Sequence, residues 1–223
     1  MGFTQIIMSK VKYVISDGNS EVVINKSRFL GLIKKVTTEE EAIEFINQMK
    51  KKYWDARHNC MAYVIEGDQE IKRFSDDGEP QGTAGKPILD VLERQNIKNA
   101  VIVVTRYFGG VLLGTGGLVR AYTQASVEAV ENAKICEASD GVRFRIEVDY
   151  TSAGKISYYL RQNNGHEVET TYGENVIIDL IVDKEAEKAL EDKVTEITSA
   201  QAKFISKEEI SYGVCGDEYI WDL

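Results

Sequence analysis

Five glycines, Gly109, Gly110, Gly114, Gly116 and Gly117, fall within nine positions of the stretch TRYFGGVLLGTGGLVRAY (residues 105–122), between the cluster Arg106-Tyr107-Phe108 and a second arginine, Arg120. The apolar run before the glycines and the alanine- and valine-rich run after them predict a strand, a tight turn and a helix. In that geometry backbone N–H groups and a helix N-terminus converge on an anion. Arginine offers a planar fork suited to phosphate. Tyr107 and Phe108 offer faces for a base, with Phe108, next to the apolar strand, expected in the core. Two named phosphate motifs are excluded. Gly109 or Gly110 leads to Gly114-Thr115 with no lysine of the nucleotide-hydrolase loop, and after Gly114 and Gly116 the third glycine of the dinucleotide fingerprint is replaced by Val119. The competing reading is that the glycines only permit positive φ and close strand-to-helix packing.

A second polar segment, RFSDDGEPQGTAGKP (residues 73–87), carries Asp76, Asp77 and Glu79. These are hard oxygen donors suited to a divalent cation such as magnesium or calcium, although without the spacing of a calcium loop, so a solvated turn is the other reading. Thr83 and Lys86, at the start of the next helix, either add donors to the anion site or cap that helix. His58 and Cys60 share one face of a strand by alternation. A nucleophilic pair would need an activated thiolate within hydrogen-bonding reach, and Cys60 is expected instead to be an inert core thiol. No Gly-x-Ser-x-Gly elbow and no His-Glu-x-x-His occurs, so no catalytic residue is assigned.

These residues must be positioned by the elements around them. KVKYVIS, EVVINK and RFLGLIKKV predict three strands around a turn at DGNS. TTEEEAIEFINQMKKKY predicts a helix capped by Thr37 or Thr38, with acidic residues in its first turn and an apolar stripe of Ala42, Ile43, Phe45, Ile46 and Met49. HNCMAYVIEG and QEIKRFS predict a hairpin, and KPILDVLERQN a helix with Pro87 in its first turn. NAVIVVTRY predicts a strand covered on both faces, and LVRAYTQASVEAVENA a long helix after the glycines. Beyond residue 138 the order is strand, helix, strand, strand, helix, strand, the βαββαβ arrangement of ferredoxin-like domains. The tail YGVCGDEYIWDL carries aromatics expected to dock on a domain surface.

At 223 residues the chain is expected to form two domains, 1–137 and 138–223, in an α+β fold. Its 43% hydrophobic and 28% charged residues match a folded soluble protein rather than a disordered one. No run approaches the roughly 18 apolar residues of a membrane span. MGFTQIIMSK lacks the marks of an export signal and of myristoylation, so the cytoplasm is expected. The three cysteines, Cys60, Cys136 and Cys215, are odd in number and far apart, which predicts free thiols. The first part balances 18 Lys and Arg against 18 Asp and Glu, whereas residues 138–223 carry 9 against 18, so the whole net charge of −9 belongs there. A polyanion is therefore expected on the first part, and a protein partner on the acidic second part.

Taken together, RHNCMAYVI, FSDDGEPQGTAGKPILDVL and VIVVTRYFGGVLLGTGGLVRAY resemble the signature of the Impact family in its bacterial YigZ-type form, over about residues 20–130. The resemblance implies an N-terminal domain like the second domain of small-subunit ribosomal protein five and a C-terminal domain like the last domain of elongation factor G. It implies RNA or ribosome association and a part in regulating translation. Eukaryotic members carry a further N-terminal partner-binding domain and act on an amino-acid-starvation kinase pathway. This sequence opens on the family's own strands, so that pathway role is not expected to carry over. Asn59, beside His58, joins the residues matched to the family's motifs. The expected function is thus a translation-associated regulator holding a phosphate-bearing partner at the glycine loop. The alternative is a metal-assisted enzyme acting on a small phosphorylated or acylated metabolite, with His58 as base.

Overall fold

The computed structural model describes residues 10–67, 69–215 and 218–221. The segment read for targeting signals lies outside them, apart from Lys10, as does part of the C-terminal tail. Strands β1 (Lys12–Ser16), β2 (Gly18–Ile24) and β3 (Ser27–Lys35) precede helix α1 (Glu39–Lys52). Strands β4 (His58–Ile65) and β5 (Ile71–Ser75), helix α2 (Gly85–Arg94), the short β6 (Ile97–Lys98), β7 (Ala100–Tyr107), helix α3 (Gly114–Glu131) and β8 (Lys134–Val148) follow. The chain divides into two compact units, with the boundary between Glu137 and Ala138.

The apolar run of β7 needs cover on both faces, and the first unit provides it. Strands β2, β3, β7, β4 and β5 form an antiparallel sheet in that order, with β7 in the middle. Val101 and Val103 pack with Phe45, Ile46 and Met49 of α1, while Ala100, Ile102 and Val104 pack with Ile88 and Leu92 of α2 and Ala121, Tyr122 and Ala125 of α3. The alternation of one strand thus serves two helical layers. Small residues let α3 come close, so that a Cβ at Gly31 would sit 2.5 Å from the Ala125 carbonyl oxygen. Thr38 caps α1, accepting from the Glu41 N–H at 3.2 Å, while Glu41 accepts from the Thr37 N–H at 2.7 Å. The turn into β3 is made by Asn25 and Lys26, both at positive φ, which suits the twist of a two-residue hairpin. Of the expected DGNS turn only Asp17 lies outside a strand.

In the second unit β8 is followed by α4 (Tyr150–Gln162), β9 (His166–Tyr172), β10 (Val176–Asp183), α5 (Glu187–Thr198), β11 (Lys203–Cys215) and β12 (Glu218–Ile220). Strand β10 pairs antiparallel with β8 and β9, and β11 lies beside β8, so the order is β9-β10-β8-β11. This is the ferredoxin-like βαββαβ pattern. Phe144, Ile146, Ile178 and Leu180 of the sheet pack against Ile156 and Leu160 of α4 and Leu190 and Val194 of α5. In the tail, Tyr219 and Trp221 stack on each other and against His166.

The expectation of three free thiols is corrected. Cys136 and Cys215, both grouped with the first unit, are joined as a disulfide, and Cys60 alone stays free and buried. The pair is 79 residues apart in sequence, a separation that only the folded chain closes.

Candidate functional site

Strands β4 and β7 lie antiparallel in a register that places His58 opposite Arg106, Asn59 opposite Thr105 and Cys60 opposite Val104. Alternation then sorts these residues between the sheet's two faces. His58, Cys60 and Arg106 go to the side of α2 and α3. Asn59, Thr105 and Tyr107 go to the side of α1. There the Thr105 hydroxyl donates to Asn59 Oδ1 at 2.7 Å and the Tyr107 hydroxyl to Asp55 Oδ1 at 2.8 Å, with Arg28 over the Tyr107 ring. Asn59 and Tyr107 are therefore separated from Arg106.

Arg106 Nη1 donates to Glu79 Oε1 at 2.6 Å, and the same oxygen accepts from the Tyr122 hydroxyl at 2.8 Å. The guanidinium lies 5.4 Å from the ring centre of Phe29 and 5.5 Å from that of Phe108. Its Nε is buried and has no hydrogen-bond partner among the described residues. His58 Nδ1 is 2.9 Å from the Asp77 carbonyl oxygen, which only accepts, so the ring proton sits on Nδ1. In the neutral ring Nε2 is then an acceptor, 3.9 Å from Glu79 Oε1. Cys60 Sγ donates to the Asp76 carbonyl and lies 3.4 Å from the Tyr122 hydroxyl. Burial pushes both the Cys60 thiol and the Tyr122 phenol well above their ordinary ranges, so neither ionises near neutral pH.

The acidic turn spreads its carboxylates over separate partners. Asp76 accepts from the backbone N–H groups of Gly82, Ala84 and Gly85 at 2.8, 3.0 and 2.8 Å, and so caps α2. Asp77 accepts from Lys50 Nζ at 2.9 Å and from the Asn59 N–H at 2.7 Å. Glu79 is held by Arg106 and Tyr122. No group of three or more His, Cys, Asp or Glu among the described residues is placed to hold a metal ion. Thr83 donates to the Pro80 carbonyl at 2.6 Å, and Lys86 pairs with Asp90 and Glu93 along its own helix. These contacts answer to helix-end and helix-surface needs.

The glycines divide by cause. At Gly109 an added Cβ would overlap the backbone of Lys26 and Ser27, so its absence lets two chain segments cross. Gly110 and Gly114 have φ of +84° and +69°, a region that other residues seldom enter. Gly117 packs against Leu113. Gly116 has no positive φ, and a Cβ there would meet nothing within 4 Å. Helix α3 begins at Gly114, four residues earlier than expected, so three of the five glycines lie in its first turn. Among the described residues no side chain caps that turn, and it contains no acidic residue. Its first N–H groups are left without side-chain acceptors.

That turn opens on a cleft of about 430 Å³ lined by Arg57, His58, Glu79, Pro80, Arg106, Phe108, Leu112, Leu113, Gly114, Thr115 and Leu118. His58, Glu79, Arg106 and the start of the glycine helix thus meet in one place. Thr83, Lys86, Asp76, Asp77 and the exposed Arg120 are not in its lining. Phe108 is 44% exposed, correcting the expectation that it is core. One residue past the end of β7 the ring passes out over Arg106 instead of inward. Arg57, Leu112 and Thr115 were missed by motif reasoning. Arg57 directly precedes His58, and Leu112 is an apolar residue within a glycine turn, which are the signals the sequence offered.

Together these two α+β units and the cleft of the first define a protein of Impact type. The family described as Impact N-terminal domain matches residues 25–130, and a domain of unknown function, DUF1949, matches residues 146–201. The chain is 42% identical over 195 residues to IMPACT family member YvyE of Bacillus subtilis, covering 87% of this chain and 89% of that protein. It is 30% identical over 188 residues to IMPACT family member YigZ of Escherichia coli, covering 83% and 92%. A solved structure described as a hypothetical protein aligns with a TM-score of 0.55 at 28% identity, covering 90% of this chain and 98% of that one. The chain belongs to the Impact family.

Proposed function

We propose that this protein is a translation-associated regulator whose first unit holds RNA backbone, or another phosphate-bearing partner, in the cleft at the start of α3. Family membership supports the translation role through what the resemblance implies. One observation carries the site: an uncapped first helical turn of glycines opens on the same cleft as a buried arginine whose Nε has no partner among the described residues. The turn presents partial positive charge. Gly114 and Thr115 of that turn line the cleft, and Gly116 beside them, where an added Cβ would meet nothing within 4 Å, can take a carboxylate without a clash. The even charge balance of residues 1–137 allows a locally positive cleft, whereas the acidic second unit is assigned to a protein partner. No helix among the described residues is long and apolar enough to cross a membrane. The cytoplasmic location belongs to this proposal through the translation role alone. The metal-assisted alternative is favoured by no contact among the described residues, since each carboxylate of the acidic turn already has its own partners.

The test is binding of single-stranded RNA across a salt series by the wild type, by Arg57→Ala and by Gly116→Glu. Affinity should fall with salt by a log–log slope of roughly −0.7 per neutralised phosphate. Arg57→Ala should flatten that slope, and Gly116→Glu should abolish binding. Unchanged affinity and slope in both variants would overturn the proposal.

A further inference from the structure

We infer that the cleft takes a single nucleotide-sized unit, its phosphate against the first turn of α3 and its base on the face of Phe108. This rests on the phosphate-binding reading and adds what the phosphate is attached to. Size argues first. About 430 Å³ lies near the lower end of small-ligand sites, roughly 300–1,000 Å³, with room for one compact group rather than several unstacked bases. The lining is divided as such a ligand is. Arg57, His58 and the Gly114-Thr115 backbone offer polar atoms, and Phe108, Leu112 and Leu118 offer apolar surface.

Phe108 gives the decisive geometry. One side of its ring is taken by the Arg106 guanidinium at 5.5 Å, yet the residue remains 44% exposed, which leaves a firm planar platform for one base. Leu112, 85% exposed beside it, extends the same apolar surface. Arg106 adds an independent sign of a missing partner. Its side chain is 7% exposed, it lines the cleft, and its Nε is an unsatisfied buried donor among the described residues. A buried donor of that kind calls for an acceptor that the described residues do not supply, a water, an ion or a ligand atom.

The experiment is calorimetric titration of the full chain with the four 5′-ribonucleoside monophosphates, with inorganic phosphate and acetyl phosphate as comparators. At least one nucleotide should bind tenfold or more tighter than phosphate. Phe108→Ala should remove that excess, on the order of tenfold, while leaving phosphate affinity unchanged. Phe108→Leu, which keeps apolar volume without a ring, should do the same and guards against a folding defect. Gly116→Glu should remove nucleotide and phosphate binding together. Nucleotides binding no tighter than phosphate or acetyl phosphate, or an excess that survives both Phe108 variants, overturns the inference. Should RNA still bind in a manner sensitive to Gly116→Glu while mononucleotides do not, the chamber falls and the phosphate reading stands. Loss of RNA, phosphate and nucleotide binding in the wild type removes both.

Discussion

Arg106 and Glu79 meet at 2.6 Å with side chains only 7% and 4% exposed, so the floor of the cleft is an ion pair linking a central strand to a polar turn. Two buried charges are tolerated because each is also otherwise engaged, Glu79 by the Tyr122 hydroxyl and Arg106 by two aromatic rings. Arg106 is therefore first a structural residue, and a ligand meets a guanidinium already oriented by its partner. Removing one member strands the other. Arg106→Ala or Glu79→Ala is expected to cost about 3–5 kcal/mol in urea unfolding, and the double variant less than the sum of the two. Additive losses, or an unchanged midpoint for Arg106→Ala, would show that the pair contributes nothing to the fold.

The glycines of the loop separate fold from function. Gly116→Ala should raise stability by roughly 0.5–1 kcal/mol, because glycine within a helix costs about that much relative to alanine and the added methyl meets no atom. Gly116→Glu should add to helix stability through its charge near the N-terminus, while its carboxylate competes with any incoming anion. Gly109→Ala should destabilise, since the methyl would overlap the Lys26 and Ser27 backbone. Thermal unfolding of the three variants beside RNA binding checks the contrast. A Gly116→Ala variant less stable than the wild type would mean that the position carries a packing demand.

Local signals carried much of the fold. The cover of β7 on both faces, a threonine cap at Thr37 or Thr38 and the βαββαβ order were all legible because each rests on residues close in sequence. Register was not. Alternation within β7 puts Arg106 and Tyr107 on opposite faces, but that Arg106 lies opposite His58 is set by the pairing of β4 with β7, which no spacing within β7 reveals. The disulfide shows the same limit over 79 residues. The glycines were legible as a group, but their separate causes needed the neighbours each one meets. Acidic residues in a row suggested one cation, whereas the backbone turns between them aim each carboxylate at a different partner.

Cys60 offers a chemical check on the core. Burial raises its thiol far above the ordinary range, and the sulfur is engaged by the Asp76 carbonyl. The thiolate is the reactive form, so native protein should resist alkylation by iodoacetamide at pH 8 and react readily once unfolded in guanidinium chloride. Mass spectrometry on the non-reduced protein follows this thiol alone, because Cys136 and Cys215 are paired. Rapid labelling of Cys60 in the folded state would show that its surroundings open.

The second unit should weaken in mild acid through His166. Its ring centre lies 3.8 Å from that of Tyr219 and close to Trp221 and Tyr212, and burial there lowers its pKa more than the Asp183 carboxylate raises it. A histidine whose folded pKa is depressed binds its proton more readily in the unfolded chain. It therefore contributes stability above the unfolded value, near 6.5, that is lost as pH falls through the folded one. The carboxylates with lowered pKa, such as Glu41 and Asp149, act only below about 4.3, the ordinary carboxylate range, and leave this window clear. Between pH 7.5 and 5 the wild type should lose stability, and His166→Phe, which keeps an aromatic ring against Tyr219, should lose less. Circular dichroism melts at half-unit pH steps give the comparison, and identical slopes for the two proteins would show that the tail leaves this imidazole as free to protonate as it is in the unfolded chain.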